Sequence, residues 1–288
     1  MVLGREEGEG VLSFSADTRI SRHNLKLPVT SDPWRVSIND LDSKNGVFVN
    51  GRKVDEHNLV DGDLIRLGES FIVLRWRTRA EEPASDLSGR APAIITLRNI
   101  IDRLGPHVQR VLLEGSEGTV FEDVVRVIHR RINPEGAMVR VAGETPSVAA
   151  LKEAVAGSAT VVVEDLECLT DDGRHILLSA KGLAPLIATS KKDLDAMVYS
   201  GTIDAPLVNS FEGYRVRLPR LAERREDLLG LFFAALGPDV PPPTTDLIET
   251  LLIYPWPNDV LELIEVAAEL RVRGSGLDAL VTELVSPR

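Results

Sequence analysis

The hydrophobic rhythm of the chain changes after Trp76, and no single layered fold accommodates both patterns. Before that point short apolar stretches are separated by closely spaced turn signals. Trp34, Val36 and Ile38 alternate with polar residues, as a strand with one buried face requires. Lys44-Asn45-Gly46, Asn50-Gly51, Asp61-Gly62-Asp63 and Leu67-Gly68 mark turns, leaving Val47–Val49, Leu64–Leu67 and Phe71–Trp76 as strand candidates. Short strands at this spacing predict an all-β sandwich.

Arg79–Pro92 has no period and almost no large apolar residue, which predicts a solvated linker. Beyond it, apolar runs at Arg110–Leu113, Ala137–Val141, Thr160–Val163, Pro185–Ala188 and Tyr214–Leu218 alternate with helix-like stretches. Phe121, Val124, Val127 and Ile128 fall on one helical face, and Ser147 is placed to cap a helix carrying Val148, Leu151 and Val155. Near-continuous apolar strands alternating with helices predict a parallel sheet covered on both sides. After Pro241-Pro242-Pro243 the pattern is helical, with Asn258 as a cap ahead of Val260, Leu263, Ile264 and Ala267, and an end at Arg271, Arg273 and Gly274. The expected layout is a sandwich over 1–78, a linker over 79–92, an α/β region over 93–236 and a helical region over 237–288.

Composition narrows the function classes. At 288 residues the chain is about twice the length of one typical domain. The net charge is −11, yet residues 1–79 hold 12 Lys+Arg and 12 Asp+Glu, so the remainder carries all of it. An acidic chain is poorly suited to nonspecific nucleic-acid binding, and no direct nucleic-acid partner is expected. No apolar run reaches the length of a membrane span, and Met1–Gly10 is no signal peptide. The single cysteine, Cys168, excludes internal disulfides and fits a reducing cytoplasm; the five histidines have no ligand spacing, so no metal is expected.

In the first half, Leu3-Gly4-Arg5, Ile20-Ser21-Arg22-His23, Ser43-Lys44-Asn45-Gly46 and Asn50-Gly51, followed by Asp61-Gly62-Asp63 and Leu67-Gly68, occur in an order and spacing that resembles the forkhead-associated (FHA) domain. That family is a β-sandwich whose loops at one end bind phosphothreonine peptides. The chemistry is independently sound: a phosphothreonine offers nearly two negative charges and three acceptor oxygens, which a guanidinium, a hydroxyl and an amide on rigid loops can satisfy. The resemblance implies that Arg5 and Ser21 hold the phosphate, with Arg22 and Lys44 nearby and Asn45 on the peptide backbone. Gly4, Gly46 and Gly51 are expected as turn glycines, and Asn50 as a loop brace. Asn24 stands where the family has a structural histidine, with His23 one residue early. The family's first strands precede the Gly-Arg turn, whereas this chain begins three residues before it. The expectation is an exposed sheet edge or a start further upstream.

In the second half, Glu114-Gly115-Ser116-Glu117-Gly118-Thr119-Val120-Phe121-Glu122 follows a strand and opens a helix, where a phosphate-binding loop belongs. With Val163-Glu164-Asp165, Ile187-Ala188-Thr189-Ser190, the run Leu218-Pro219-Arg220-Leu221-Ala222-Glu223-Arg224-Arg225-Glu226-Asp227, and Tyr254-Pro255-Trp256-Pro257, it resembles the AAA+ domain of bacterial enhancer-binding proteins, the ATPases that activate sigma-54 RNA polymerase. The resemblance implies a P-loop-type parallel sheet with a C-terminal helical lid. It also implies a degenerate nucleotide site at Gly115, Gly118, Thr119, Phe121, Glu164 and Asp165. Phe121 replaces the loop lysine and Val120 the glycine before it; the paired carboxylates are inverted as Glu164-Asp165. Ser190 replaces the sensor asparagine, Asp204 and Ser210 the two arginine fingers, and Leu261 the lid arginine. The family's sigma-54-gripping sequence is absent between Ile132 and Thr160, and with the lid running to Arg288 the family's helix-turn-helix DNA-binding domain is not expected.

The resulting expectation is a non-enzymatic, cytoplasmic signalling protein with no cofactor. It would bind a phosphothreonine protein made by a Ser/Thr kinase and use an inactive AAA+ domain as a contact surface for intact family members or for itself. The alternative is an ATP-dependent sigma-54 activator with divergent catalytic residues, or an acidic scaffold that has lost both ligands.

Overall fold

The computed structural model describes residues 1–8, 11–28, 36–75, 87, 89–142, 148–180, 184–211, 214–237 and 244–273. The first region contains β1 (Val2–Gly4), β2 (Val11–Ser13), β3 (Leu25–Lys26), β4 (Val36–Asp40), β5 (Val47–Val49), β6 (Arg52–Val54), β7 (Glu56–Leu59), β8 (Leu64–Leu67) and β9 (Ser70–Val73). They form two sheets, ordered β2-β1-β3-β4-β7 and β6-β5-β8-β9. Leu3, Ile20, Leu25, Ile38, Val47, Val49, Leu59, Ile65 and Leu67 pack into one core. The alternation of Val36 and Ile38 is realised in β4, whose central Ile38 is fully buried. The β5–β6 hairpin turns on Asn50 (φ +49°) and Gly51 (φ +78°), the two left-handed residues a type I′ turn demands. Asn50 also braces the neighbouring loop, donating from Nδ2 to Asp63 Oδ1 at 2.8 Å and accepting from the Leu64 amide at 3.1 Å.

The second region runs α1 (Pro92–Ile101), β10 (Arg110–Glu114), α2 (Glu122–Ile132), β11 (Met138–Ala142), α3 (Val148–Ala156), β12 (Thr160–Glu164), α4 (Asp171–Ser179), β13 (Leu186–Ser190), α5 (Leu194–Tyr199), α6 (Ala205–Asn209), β14 (Arg215–Arg217), α7 (Arg225–Leu236), α8 (Thr245–Ile253) and α9 (Asp259–Arg273). The strands form an all-parallel sheet in the order β11-β12-β13-β10-β14. The inner strands β10, β12 and β13 are buried almost throughout, because helices cover both faces. One core holds Leu112, Val161, Val163 and Ala188 with Leu151, Leu177 and Phe211; the other holds Val111, Leu113, Val162 and Ile187 with Ile94, Val125 and Ile128.

Two sequence readings change. The expected linker ends in structured chain: Leu87 and Ala91 are buried, and Pro92 occupies the first turn of α1, where its missing N–H costs nothing. The strand anticipated over Tyr214–Leu218 is limited to Arg215–Arg217. The anticipated cap Ser147, the Pro241-Pro242-Pro243 break, Gly274, Trp34 and Trp76 lie outside the described residues.

The chain separates into two compact units, Met1–Ala80 with Leu228–Pro255 and the segment from Val266 onward, and Glu81–Asp227 with Trp256–Glu265. Within the first unit the Arg66 guanidinium lies 4.0 Å over the Phe48 ring and pairs with Glu249 of α8 at 3.0 Å.

Candidate functional site

Three loops at one end of the sandwich converge on an open cavity of about 640 Å³. Arg5 follows β1, Ser21 and Arg22 lie between β2 and β3, and Lys44 and Asn45 lie between β4 and β5. All five residues singled out from the sequence line this cavity, together with Thr18, Arg19 and Ile20.

The loops are tied to one another through backbone. The Arg5 amide donates to Ser21 O at 3.0 Å and the Glu6 amide to Arg22 O at 3.2 Å. The Lys44 amide donates to Ser21 Oγ at 3.0 Å. Asn45 Nδ2 donates to Arg19 O at 2.6 Å, so this amide group fastens two loops together. Gly4 is no turn glycine, contrary to the sequence reading. It is a β1 residue, and a Cβ there would sit 2.0 Å from the Arg22 carbonyl oxygen. The absence of a side chain is what lets the Ser21–His23 loop lie against the strand and places Arg5 beside it. Gly46 does fit its turn reading, with φ +82°. Asn24, at the place of the family's structural histidine, is fully buried, and among the described residues neither of its side-chain amide atoms has a hydrogen-bond partner. Its backbone carries the connection instead, donating to Leu3 O and accepting from the Leu41 amide, both at 2.9 Å.

Chemically the cavity wall is cationic and hydroxyl-bearing. Arg5, Arg19, Arg22 and Lys44 supply cations, Ser21 and Thr18 hydroxyls, and among the described residues no carboxylate lines it. Arg19 and Thr18 were not anticipated. Their only sequence signal is position, just ahead of Ile20-Ser21-Arg22, and the turn that brings Arg19 to the cavity depends on distant residues.

A second cavity, of about 200 Å³, lies over the parallel sheet in the other unit. Thr119, Phe121, Glu164 and Asp165 line it, as the sequence anticipates, while Gly115 and Gly118 shape the turn beside it. At Gly118 (φ +75°) a Cβ would meet Asn258 O at 1.7 Å. The Thr119 and Ser116 hydroxyls donate to Asp259 Oδ2 at 2.7 and 3.2 Å, and the Leu221 amide to Asp259 Oδ1 at 2.7 Å. Asp259, almost wholly buried, thus holds the turn closed. Burial lowers the pKa of nearby Arg224, and attraction to Asp259 and Asp227 opposes that effect.

The cavity also contains cations that the sequence motifs do not reveal. Arg140 of β11 pairs with Glu122 and, at 2.8 Å, with Glu164. Burial acts to lower the Arg140 pKa, but its bonds to Glu164 and Glu122 outweigh this and leave it raised. Lys191, just past β13, lies 3.3 Å from Asp165. Two cations thus line the cavity, from the middle of β11 and from just past β13, each paired with a carboxylate of the same lining. Ser190 and Ser210, at the places of a sensor and a finger, serve local structure: Ser190 Oγ accepts from the Lys192 amide, and Ser210 Oγ accepts from the buried Arg110.

The two folds are a β-sandwich of two sheets and an α/β region built on a parallel five-stranded sheet. The family model for the FHA domain matches residues 1–68. Over 74 residues the chain is 44% identical to the FHA domain-containing protein FhaA of Mycobacterium tuberculosis, covering 26% of this chain and 13% of that protein. It is 27% identical over 252 residues to the DNA-binding transcriptional regulator NtrC of Klebsiella pneumoniae, covering 71% of this chain and 53% of the relative. The chain thus spans about half the length of the NtrC proteins it matches. Its fold matches NtrX of Brucella abortus in complex with ATP, with a TM-score of 0.58 at 22% identity, over 71% of this chain and 57% of that one. The chain carries an N-terminal FHA domain, and its remainder is similar to NtrC/NtrX-type AAA+ domains.

That similarity corrects the expectation of a non-enzyme. The relatives are NtrC-type regulators, and structures of the shared fold include complexes with ATP and with ADP. Departures at single motif positions do not establish inactivity in such a fold, and two cations outside the motif positions, Arg140 and Lys191, line the cavity.

Proposed function

We propose that this chain is a regulator that reads phosphothreonine through its FHA domain and passes that recognition to partners through its NtrC/NtrX-like region, in the control of transcription. The observation that carries the reading is the convergence of Arg5, Ser21, Arg22, Lys44 and Asn45 on one cavity without a lining carboxylate among the described residues. A guanidinium, an ammonium and a hydroxyl on interlocked loops match the charge and acceptor geometry of a phosphate monoester, each charge-assisted bond contributing roughly 1.5–3 kcal/mol. The partner is a protein phosphorylated by a Ser/Thr kinase. The α/β region makes further contacts with AAA+ proteins of its own kind or with a second copy. The working domain layout is 1–78, 93–236 and 237–288.

Isothermal titration of the full chain with a phosphothreonine peptide, and with its unphosphorylated and phosphoserine counterparts, tests this. Selective heat with the phosphothreonine peptide, abolished by Arg5→Ala, supports the reading; identical heats from all three peptides end it.

A second reading, ATP-dependent activity of the α/β region, is favoured by the Lys191 and Arg140 side chains in the second cavity. Phosphate release measured with Mg-ATP for the wild type and for Lys191→Ala decides it. A wild-type rate at the no-enzyme background sets that reading aside.

A further inference from the structure

The outer face of the sheet β6-β5-β8-β9 meets a helix. Along β8, Ile65 and Leu67 point into the sandwich core, so Leu64 and Arg66 point the other way. Leu64 is nonetheless almost wholly buried, so this face is covered there. Phe48 of β5 stands opposite Arg66, whose guanidinium lies over its ring. The same guanidinium reaches α8: Arg66 Nε lies 3.0 Å from Glu249 Oε2, with the two side chains 17% and 13% exposed. A second contact falls one helical turn further on. A Cβ on Gly51 would lie 2.8 Å from Ile253 Cδ1, so the β5–β6 turn closely approaches the last residue of α8. Residues four apart share one face of a helix, and α8 thus touches β8 and the β5–β6 turn along a single face.

These contacts lead back to the FHA-side cavity. β5 spans Val47–Val49, about 10 Å. The cavity residues Lys44 and Asn45 lie in the loop that enters it, and Gly51 lies in the turn that leaves it. A ligand that fixes Lys44 and Asn45 therefore steadies the strand that carries Phe48 and presents Gly51. The charge pair is also able to open. Arg66 Nε and Glu249 are close but not aligned for a hydrogen bond, and Glu249 Oε1 has no hydrogen-bond partner among the described residues. A buried pair with incomplete hydrogen bonding recovers little beyond its desolvation cost, whereas one partner left alone is a stranded charge that forces the surfaces apart.

We propose that Arg66 and Glu249 form a latch that fastens the sandwich to α8, and that β5 links this latch to the phosphopeptide cavity. Ligand binding favours the closed latch, and by reciprocity a closed latch raises affinity for the ligand. This rests on the phosphothreonine reading and names the route by which recognition leaves the sandwich.

Hydrogen exchange and fluorescence polarisation on the full chain test it. The proteins are the wild type, Glu249→Arg, the charge exchange Arg66→Glu with Glu249→Arg, and the apolar pair Arg66→Met with Glu249→Leu. Without ligand, Glu249→Arg sets two cations against each other and should speed amide exchange in β5, β8 and α8 together by about tenfold or more. Exchange unchanged in this variant, or faster in α8 alone, overturns the latch. At least one of the paired variants should regain both protection and peptide affinity, and failure of both overturns it too. A saturating phosphothreonine peptide should slow α8 exchange in the wild type, and Glu249→Arg should weaken that peptide about fivefold or more, although residue 249 does not line the cavity. The added positive charge would by itself attract the peptide, so weakening has the opposite sign to a long-range field effect. Wild-type α8 exchange that ignores the bound peptide, or an affinity unmoved by Glu249→Arg, overturns the coupling and leaves the phosphothreonine reading standing. A wild type that binds no phosphorylated peptide overturns both.

Discussion

Gly4→Ala isolates the steric contact on which the FHA site is built. The new Cβ would lie 2.0 Å from Arg22 O, 2.8 Å from Arg22 C and 3.1 Å from His23 Cα, all backbone atoms that cannot rotate away. Contacts below 3.0 Å are not sustained, so the Ser21–His23 loop must withdraw by about 1 Å. The Arg5 amide bond to Ser21 O, now 3.0 Å, and the Glu6 amide bond to Arg22 O, now 3.2 Å, then stretch to about 4 Å and fail. Overpacking of this kind costs roughly 1–3 kcal/mol and each lost bond roughly 0.5–1.5 kcal/mol, together about 2–5 kcal/mol. For a domain of this size each kcal/mol lowers Tm by about 4–8 °C, so a fall of about 10 °C or more is expected in the FHA transition by scanning calorimetry. Affinity for a phosphothreonine peptide should drop about 10- to 100-fold, because Arg5 and Ser21 are carried on the two sides of the displaced contact. Gly201→Ala is the control. It too breaks a glycine, at φ +73°, but nothing lies within 4 Å, so its cost is limited to about 1–2 kcal/mol of backbone strain with no effect on peptide binding. A Gly4→Ala protein with an unshifted transition and unchanged affinity would refute the close-approach account.

Asn24→Leu keeps the side chain's branching and removes two buried polar atoms that have no partner among the described residues. It should stabilise the sandwich by about 1–3 kcal/mol, raising its melting temperature, and a lower melting temperature would contradict the orphaned-amide description. Asp259→Ala strips the acceptor from Ser116, Thr119 and Leu221 and should cost the α/β unit roughly 3–5 kcal/mol in a urea titration, whereas a midpoint shift below a quarter of that would show that Asp259 is dispensable. The hydrogen bond from Arg215 holds the Asp195 carboxyl below its ordinary pKa. A depressed carboxylate contributes stability that is complete above its unfolded pKa of about 4 and is lost as pH falls through the folded value. Asp195→Asn should therefore lower stability slightly at neutral pH, leave it unchanged below the folded pKa of Asp195, and so flatten the acid side of the stability profile; an unaltered acid limb would remove Asp195 from that role.

The parts of this molecule that depend on local pattern could be read from the sequence. Alternation around Val36 and Ile38, the Asn50-Gly51 turn and the buried runs of β10, β12 and β13 each follow from side-chain periodicity over a few residues. The five residues that line the FHA-side cavity could be singled out because the FHA motifs have a fixed order. What escaped was set by distant contacts. Arg19 reaches the cavity through Asp17, Asn45 and the β8–β9 turn, and Gly4 is required by a carbonyl 18 residues away in sequence. Arg140 and Lys191 share a cavity only because β11 and β13 flank β12, a neighbour relation that spacing cannot express. Counting motif positions in that region therefore missed both cations, each paired with a carboxylate beside it.

The turn after β10 has a bearing on how the protein is made. Thr119 leaves the ribosome 140 residues ahead of Asp259, the carboxylate that satisfies its hydroxyl. Throughout that interval of translation the nascent turn must leave its donors to water, and the α/β unit cannot complete itself until nearly the whole polypeptide has been synthesised. Cutting the message anywhere before the codon for Asp259 should release an α/β product that is prone to aggregation, however many of its strands have already paired.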